Sequence, residues 1–384
     1  MVQHGSRSPD GPLAARRWAA GPGAAGYPPS MRLGVNLGYW DRASAGHDMV
    51  AIAREADRLG YDSLWVAEAY GSDAPSMLAW IGALTERIHL GSAVMQIPAR
   101  TPAMTAMTAA TIDSMSQGRF RLGLGVSGPQ VSEGWHGVRF TSPLGRTRDY
   151  VEIVRSALAR ERLTHPGPHY ELPLPDGPGK ALKLGSRPLR SEVPVYLAAV
   201  GPRNLALTGE MADGWLAIFL SPEQAREEIR LIAQARQAAG RGAPEDPMAG
   251  FDVVSSTPVI LVDDVAEAAG HLRDYCALYL GGMGSREQNF YNRLACRMGF
   301  EQEAADVQDL YLAGRHREAA AAVPLDFIDA TALLGSPQRV ARRLQRYEDV
   351  GVTTLAVATG GRLSRDQATA TLAALAQLHR PRPD

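Results

Sequence analysis

Between Arg119 and Gly137 the chain reads Arg-Phe-Arg-Leu-Gly-Leu-Gly-Val-Ser-Gly-Pro-Gln-Val-Ser-Glu-Gly-Trp-His-Gly. Its first half is a buried strand by composition, and the strand ends in glycines at Gly123, Gly125 and Gly128 with Ser127 among them. Glycines after a strand let a flat ligand or a phosphate approach the backbone. An acid, an indole and an imidazole follow at Glu133, Trp135 and His136. Glu133 is either a proton-transferring acid or an acceptor that anchors its own loop. His136 is either a proton donor or a hydrogen-bonded wall of a pocket. Ser127 has no nucleophile elbow or triad around it, so its hydroxyl and N–H are read as binding groups.

A second acid, Glu68, interrupts the apolar run Leu64-Trp-Val-Ala-Glu68. A carboxylate there is not buried unpaired without large cost, so it is a site acid or one half of a salt bridge across a rim. Tyr39, Trp40 and Trp135 are read as pocket walls. In Ala199-Val-Gly-Pro-Arg-Asn204 a strand ends, Gly201-Pro202 turns, and a helix begins. The unpaired N–H groups of a helix start, with Arg203 and Asn204 beside them, suit an anion. No Cys-x-x-Cys occurs, and no metal ligand set is expected.

Alternating short β-rich runs and helical patterns must position these groups. Eight runs read as strands, at 32–37, 62–68, 88–95, 119–125, 194–199, 214–219, 253–262 and 353–358. They are nearly continuous apolar stretches, as parallel strands covered on both faces require. Helices are expected at 48–59, 101–118, 146–163, 203–212, 222–239, 264–279, 336–350 and 364–378. Thr101 followed by Pro102 is a capped helix start. This alternation predicts a closed (β/α)8 TIM barrel, with active residues at the C-terminal strand ends. An open doubly wound sheet is weakened by the lack of a Gly-rich loop after the first strand. Residues 31–384 would form the barrel, with insertions at about 164–193 and 280–335; the second contains the Gly-rich turn Gly281-Gly-Met-Gly284. Residues 1–30, rich in Gly, Pro, Ala and Arg, read as a disordered extension, with Met31 as a candidate original start.

Composition bounds the function. The 384 residues are 45% hydrophobic and 21% charged with net charge −1, ordinary for an enzyme with a large core and without a nucleic-acid footprint. No run reaches membrane-span length. Two cysteines, Cys276 and Cys296, are expected to be reduced thiols in a cytoplasmic protein. Only Lys180 and Lys183 represent lysine. The partner expected is a small-molecule substrate, with neither nucleic acid nor membrane, in a chain that forms a homodimer.

Taken together, these stretches resemble the bacterial-luciferase-like superfamily and, within it, the branch that uses the deazaflavin coenzyme F420. The resemblance is carried by Arg100-Thr-Pro102, Gly118-Arg-Phe-Arg-Leu-Gly-Leu-Gly125, Ser127 to Gly137, Val195-Tyr-Leu-Ala-Ala-Val-Gly-Pro202, Ala212-Asp-Gly-Trp215 and Gly281 to Phe290, and it covers residues 31–380. It implies a TIM barrel with the deazaflavin ring across its mouth. A bulge after the third strand, often with a non-prolyl cis peptide, would support the ring; here it falls on Ser92, Ala93, Val94 and Met95. Asn36 and Gly125 would lie beside the coenzyme. Ser127 and Gly128, with Ala199, Val200, Gly201, Pro202, Arg203 and Asn204, would hold its side chain and phosphate. In a reductase at this site, Glu133 or His136 is expected to supply the proton, with Glu68 as a further polar contact.

One departure narrows the expectation. The sugar-phosphate dehydrogenases of this branch follow the acid at the second strand end with histidine, whereas this chain has Glu68-Ala69. Lysine scarcity also removes the usual partners of a sugar phosphate. Both features point to a reductase delivering hydride to an activated C=C or C=N bond. The rivals are a flavin mononucleotide-dependent monooxygenase of the same superfamily and a non-catalytic coenzyme-binding barrel.

Overall fold

Every strand that is apolar on both faces must be covered from inside and outside, and a closed barrel satisfies that requirement. In the computed structural model, which describes residues 31–39, 46–359 and 363–379, the strands are β1 (Arg32–Gly38), β2 (Ser63–Val66), β3 (His89–Ser92), β4 (Phe120–Gly125), β5 (Val195–Ala198), β6 (Gly214–Ile218), β7 (Asp252–Ile260) and β8 (Thr354–Ala358). Each pairs in parallel with the next, and β8 returns to β1, so the barrel closes. This is the expected (β/α)8 architecture. The expected extension at 1–30 and the pocket wall Trp40 lie outside the described residues.

Inside the barrel, residue size alternates so that large side chains fit. A Cβ at Gly91 would stand 2.2 Å from Trp65, and one at Gly214 would stand 2.2 Å from Tyr196. The polar interruption Arg121 is neutralised near the N-terminal strand ends. Its Nη1 lies 2.9 Å from Asp62 Oδ2 and 3.6 Å from Asp252 Oδ2. Tyr196 donates to the same Asp252 oxygen at 3.0 Å. These charges lie away from the C-terminal strand ends and are structural.

Most helices lie where their periodicity puts them. Helix Pro102–Met115 begins on Thr101, whose hydroxyl accepts from Met104 N at 3.3 Å. Helix Ala74–Gly82, between β2 and β3, is an addition to the expected set. Asp73 caps it by accepting from Ser76 N at 3.1 Å, and Pro75 stands in its first turn. The expected helix at 264–279 is broken into Val265–Gly270 and Arg273–Ala277, followed by a π turn at Leu278–Gly282. That π turn takes up part of the expected Gly-rich turn. Residues 164–193 contain a short antiparallel hairpin, His165–Pro166 with Glu171–Leu172. After the π turn come helices Phe290–Arg297, Glu301–Leu312, His316–Ala322 and Leu325–Thr331. With Phe219 and the helices after β7 they enclose a second apolar core around Phe327, Val307 and Leu280.

Candidate active site

The C-terminal end of the barrel is shaped first by glycines of β4. A Cβ on Gly123 would stand 1.8 Å from the Ser92 carbonyl, and one on Gly125 would stand 2.5 Å from Val94 Cγ2. Only glycine lets the segment after β3 approach this closely. That segment carries one residue more than its neighbour: Gly91 pairs with Arg121 but Met95 with Leu124. The extra residue is taken up around a cis Ala93–Val94 peptide, within the expected bulge. Ser92 Oγ fastens it, donating to Gly123 O at 2.8 Å and accepting from Gly123 N at 2.9 Å.

Glu68 is the organising acid of the rim. It is buried, and Arg100 holds it through both guanidinium NH2 groups, with Nη2 3.1 Å from Oε2. Ala74 N donates to Oε2 at 3.0 Å and Gln96 N to Oε1 at 2.9 Å. Of its two sequence readings, the rim salt bridge is the one this geometry realises. Gln96 extends the network: its amide nitrogen donates to Ala69 O at 2.7 Å, and its amide oxygen accepts from Ser127 Oγ at 2.8 Å. Ser127 sits at φ 61°, in the left-handed region. Gln96 and Arg100 were not singled out as site groups by spacing, although Arg100-Thr-Pro102 stood out as a motif.

A cavity of about 980 Å³ opens at this rim. Of the expected coenzyme contacts, Val94, Gly125, Ser127, Gly128, Val200, Gly201, Pro202, Arg203 and Asn204 line it. Asn36, Ser92, Ala93 and Ala199 do not. Asn36 is turned to Ser256 Oγ at 2.8 Å and Gly38 N at 2.9 Å, and the Ala199 carbonyl accepts from Trp215 Nε1 at 2.9 Å. Tyr39 and Trp135 line the cavity as expected, together with Glu68.

Glu133 and His136, expected as proton-handling groups, are not among the residues that line the cavity. The segment after β4 is not a plain loop: Pro129–Gly134 forms a short helix with Pro129 at its first position and Gly128 as cap. Its cavity face carries Gln130 with Gly134 and Val131 with Trp135, each pair one turn apart. Glu133 projects from another face, is exposed, and accepts from Phe140 N at 3.0 Å. His136 is likewise absent from the cavity wall, and its Nε2 is buried without a hydrogen-bond partner among the described residues.

The remaining wall comes from the long insertion: Leu278, Gly282, Met283, Phe290, Tyr291, Arg293 and Arg297. Burial raises the phenol of Tyr291 well above its ordinary value, so it stays protonated. Arg297 donates to Val200 O at 2.6 Å and Arg293 to Glu287 O at 3.0 Å. With Arg203, which has no ion pair among the described residues, they bring three cations to the cavity wall, and Arg297 is tied to the residue before Gly201. Helix Pro202–Met211 begins there without a side-chain cap. Lysine scarcity therefore does not leave the cavity without cations. Arginine, with its planar fork of donors, supplies them.

Comparison with known proteins follows the geometry. Residues 31–354 match the luciferase-like monooxygenase family model. The chain is 43% identical over 336 residues to a Mycobacterium tuberculosis protein provisionally named a coenzyme F420-dependent oxidoreductase, covering 86% of this chain and 95% of that one. It is 28% identical over 306 residues to the 5,10-methylenetetrahydromethanopterin reductase of Methanolobus tindarius, covering 79% and 87%. The barrel superposes with TM-score 0.75 on the coenzyme F420-dependent tetrahydromethanopterin reductase of Methanopyrus kandleri, at 21% identity over 90% of this chain and 98% of that one.

Proposed function

The chain belongs to the luciferase-like monooxygenase family, and on that premise we propose that it is a coenzyme F420-dependent reductase acting on an activated C=C or C=N bond of a small molecule. Membership of the F420-dependent oxidoreductases rests on the similarity to the mycobacterial and methanogen proteins. The direction of hydride transfer and the bond reduced are our reading.

One observation carries it. A single cavity of about 980 Å³ joins a glycine-walled edge, Val94 and Gly125 to Gly128, to an uncapped helix start and to three arginines. That combination fits a flat ring tied to a phosphate. When bound, the deazaflavin supplies hydride from its ring carbon 5 and reacts poorly with oxygen.

The chain's own residues do the rest. The backbone at Gly125 and Gly128, which lines the cavity, would hold the ring edge. Asn204 N and Leu205 N already donate to Gly201 O at 2.9 Å, so the Arg203 backbone N–H and guanidinium would hold the phosphate. Glu68 and Arg100 fix Gln96, and Gln96 fixes Ser127, so the wall is rigid before a substrate arrives. The proton comes from a cavity-lining hydroxyl, and Tyr39 at the end of β1 is the one we assign. Tyr70, Leu144, Met283, Phe290 and Trp135 give the substrate side an apolar, aromatic character. Among the described residues no helix is long and apolar enough to cross a membrane.

The test is equilibrium titration with oxidised F420 beside flavin mononucleotide, read by fluorescence quenching, then oxidation of reduced F420 by activated alkenes and imines. Tighter F420 binding and acceptor-dependent oxidation are expected. Equal or tighter flavin mononucleotide binding, with oxygen consumed by the reduced flavin, would instead favour the monooxygenase reading. F420 binding without turnover of any acceptor would favour the non-catalytic one.

A further inference from the structure

We propose that Asp149, Glu152 and His165 form a divalent-cation site that clips the hairpin at 165–172 to helix Pro143–Leu158. None of the three lines the mouth cavity. Asp149 and Glu152 stand one turn apart on the helix, and His165 faces them from the hairpin. One ligand atom from each lies within 4.8 Å of the other two.

The imidazole is what makes this more than an acidic cluster. His165 Nε2 is fully buried and has no hydrogen-bond partner among the described residues. Its nearest carboxylate oxygen, Asp149 Oδ2, is 3.5 Å away, long for a hydrogen bond. A buried nitrogen left unsatisfied costs about 1–3 kcal/mol. The Asp149 oxygen is held in place by His169 N at 3.1 Å. The hairpin turn also leaves the pair room only because residue 167 is glycine. A Cβ there would stand 2.3 Å from His165 Nε2 and 2.5 Å from Asp149 Oδ2.

A divalent cation bound by these atoms accepts the imidazole lone pair and neutralises two carboxylates at once. One nitrogen and two carboxylate oxygens suit zinc or a neighbouring first-row ion, with water completing the shell. Bonds of about 2.1 Å allow ligands up to about 4.2 Å apart on one ion. The exposed Glu152 side chain can swing inward to close the difference. The clip would fix the crossover between β4 and β5 to the helix whose first turn, Pro143 and Leu144, lines the mouth cavity.

The experiment is calorimetric titration of the chelator-treated full-length protein with zinc chloride at pH 7, followed by thermal unfolding with and without zinc. One saturable site is expected, with a higher Tm in zinc. His165→Ala should bind more than about tenfold more weakly and lose the Tm gain. Glu152→Gln, altered at an exposed position, should weaken binding while folding normally, and it decides the matter if His165→Ala does not fold. No saturable binding at millimolar zinc, or unchanged affinity in Glu152→Gln and in any folded His165→Ala, would overturn the site and leave His165 and Asp149 as an ion pair.

Discussion

Gly201→Asp tests the anion end of the cavity because it should move stability and affinity in opposite directions. Gly201 has φ −115° and ψ 158°, a conformation open to any residue, and a Cβ added there meets nothing within 4 Å. The side chain therefore fits. It also supplies the missing cap of helix Pro202–Met211 and an anion at its positive end, together stabilising by about 0.5–1 kcal/mol. Against a bound phosphate the same carboxylate is repulsive. Two unit charges about 5 Å apart at an effective dielectric of about 20 interact by about 3 kcal/mol. Screening by water and by the adjacent arginines reduces this to about 1–3 kcal/mol, a rise in Kd of roughly 5–150-fold. Gly201→Asn is the control, since it has the same shape and cap without the charge, and its Kd should stay within about threefold of wild type. F420 titration by fluorescence quenching at low and high salt reads the affinity, and thermal unfolding reads the stability. The difference between Asp and Asn should shrink as salt rises. Wild-type affinity in the Asp variant, or an equal loss in the Asn variant, would refute a phosphate held at this helix start.

Three further outcomes follow from the geometry. Tyr39→Phe should lower turnover by about 10²–10⁴-fold with little change in coenzyme affinity, while Glu133→Gln stays near normal; steady-state oxidation of reduced F420 separates them, and the reverse pattern would return the proton to Glu133. Glu68→Ala should destabilise by about 3 kcal/mol in denaturant unfolding, because Arg100 keeps only the more distant carboxylate of Asp73, 3.8 Å away, and pairing it with Arg100→Met should recover part of the loss. Burial raises Glu228 from its ordinary 4.5 to about 7, with Arg297 opposing the rise. The folded chain thus holds this proton more tightly than the unfolded one, so the stabilisation is full below pH 4.5 and is lost as pH rises to about 7. Glu228→Gln should remove that slope and gain about 2 kcal/mol near pH 8, measured as unfolding free energy against pH; an unchanged slope would mean the carboxyl is solvated.

The barrel was legible because parallel strands covered on both faces cannot hide their apolar runs. Leu122 and Leu124 on β4 or Leu355 and Val357 on β8 need no periodicity to be recognised as buried. Helix Ala74–Gly82 was less legible: nine mostly apolar residues give little amphipathic contrast, and only Asp73 and Pro75 announce it. The same limit explains Glu133. Six helical residues at Pro129–Gly134 are too few to show a period, yet they decide which side chains face the cavity. The turn at Gly201 was readable because a strand end, Gly-Pro and a helix start are local signals. Tyr291, Arg293 and Arg297 were not, although they directly follow the recognised stretch ending at Phe290, because they reach the cavity only when the insertion after β7 packs over the rim, as Arg297 does on Val200 O, 97 residues away. Asp149, Glu152 and His165 escaped for a similar reason, since a helix and a hairpin converge there without any metal-motif spacing.

Glu68 shows how the site divides its labour. In sequence it is the conspicuous acid of the rim, yet in the fold its oxygens accept from Ala74 N, Gln96 N and Arg100. Those partners belong to the turns after β2 and β3, and Gln96 passes the restraint to Ser127 in the turn after β4. Three successive rim turns are thus tied to one buried carboxylate. An isolated charge in that position would be costly, and the guanidinium with two amides offsets the cost only while all partners remain. Through Gln96 the same carboxylate holds Ser127 at the cavity wall. On that division of labour we propose that the proton comes from outside this network, from Tyr39 at the cavity edge, with the Glu68–Arg100 pair as scaffold.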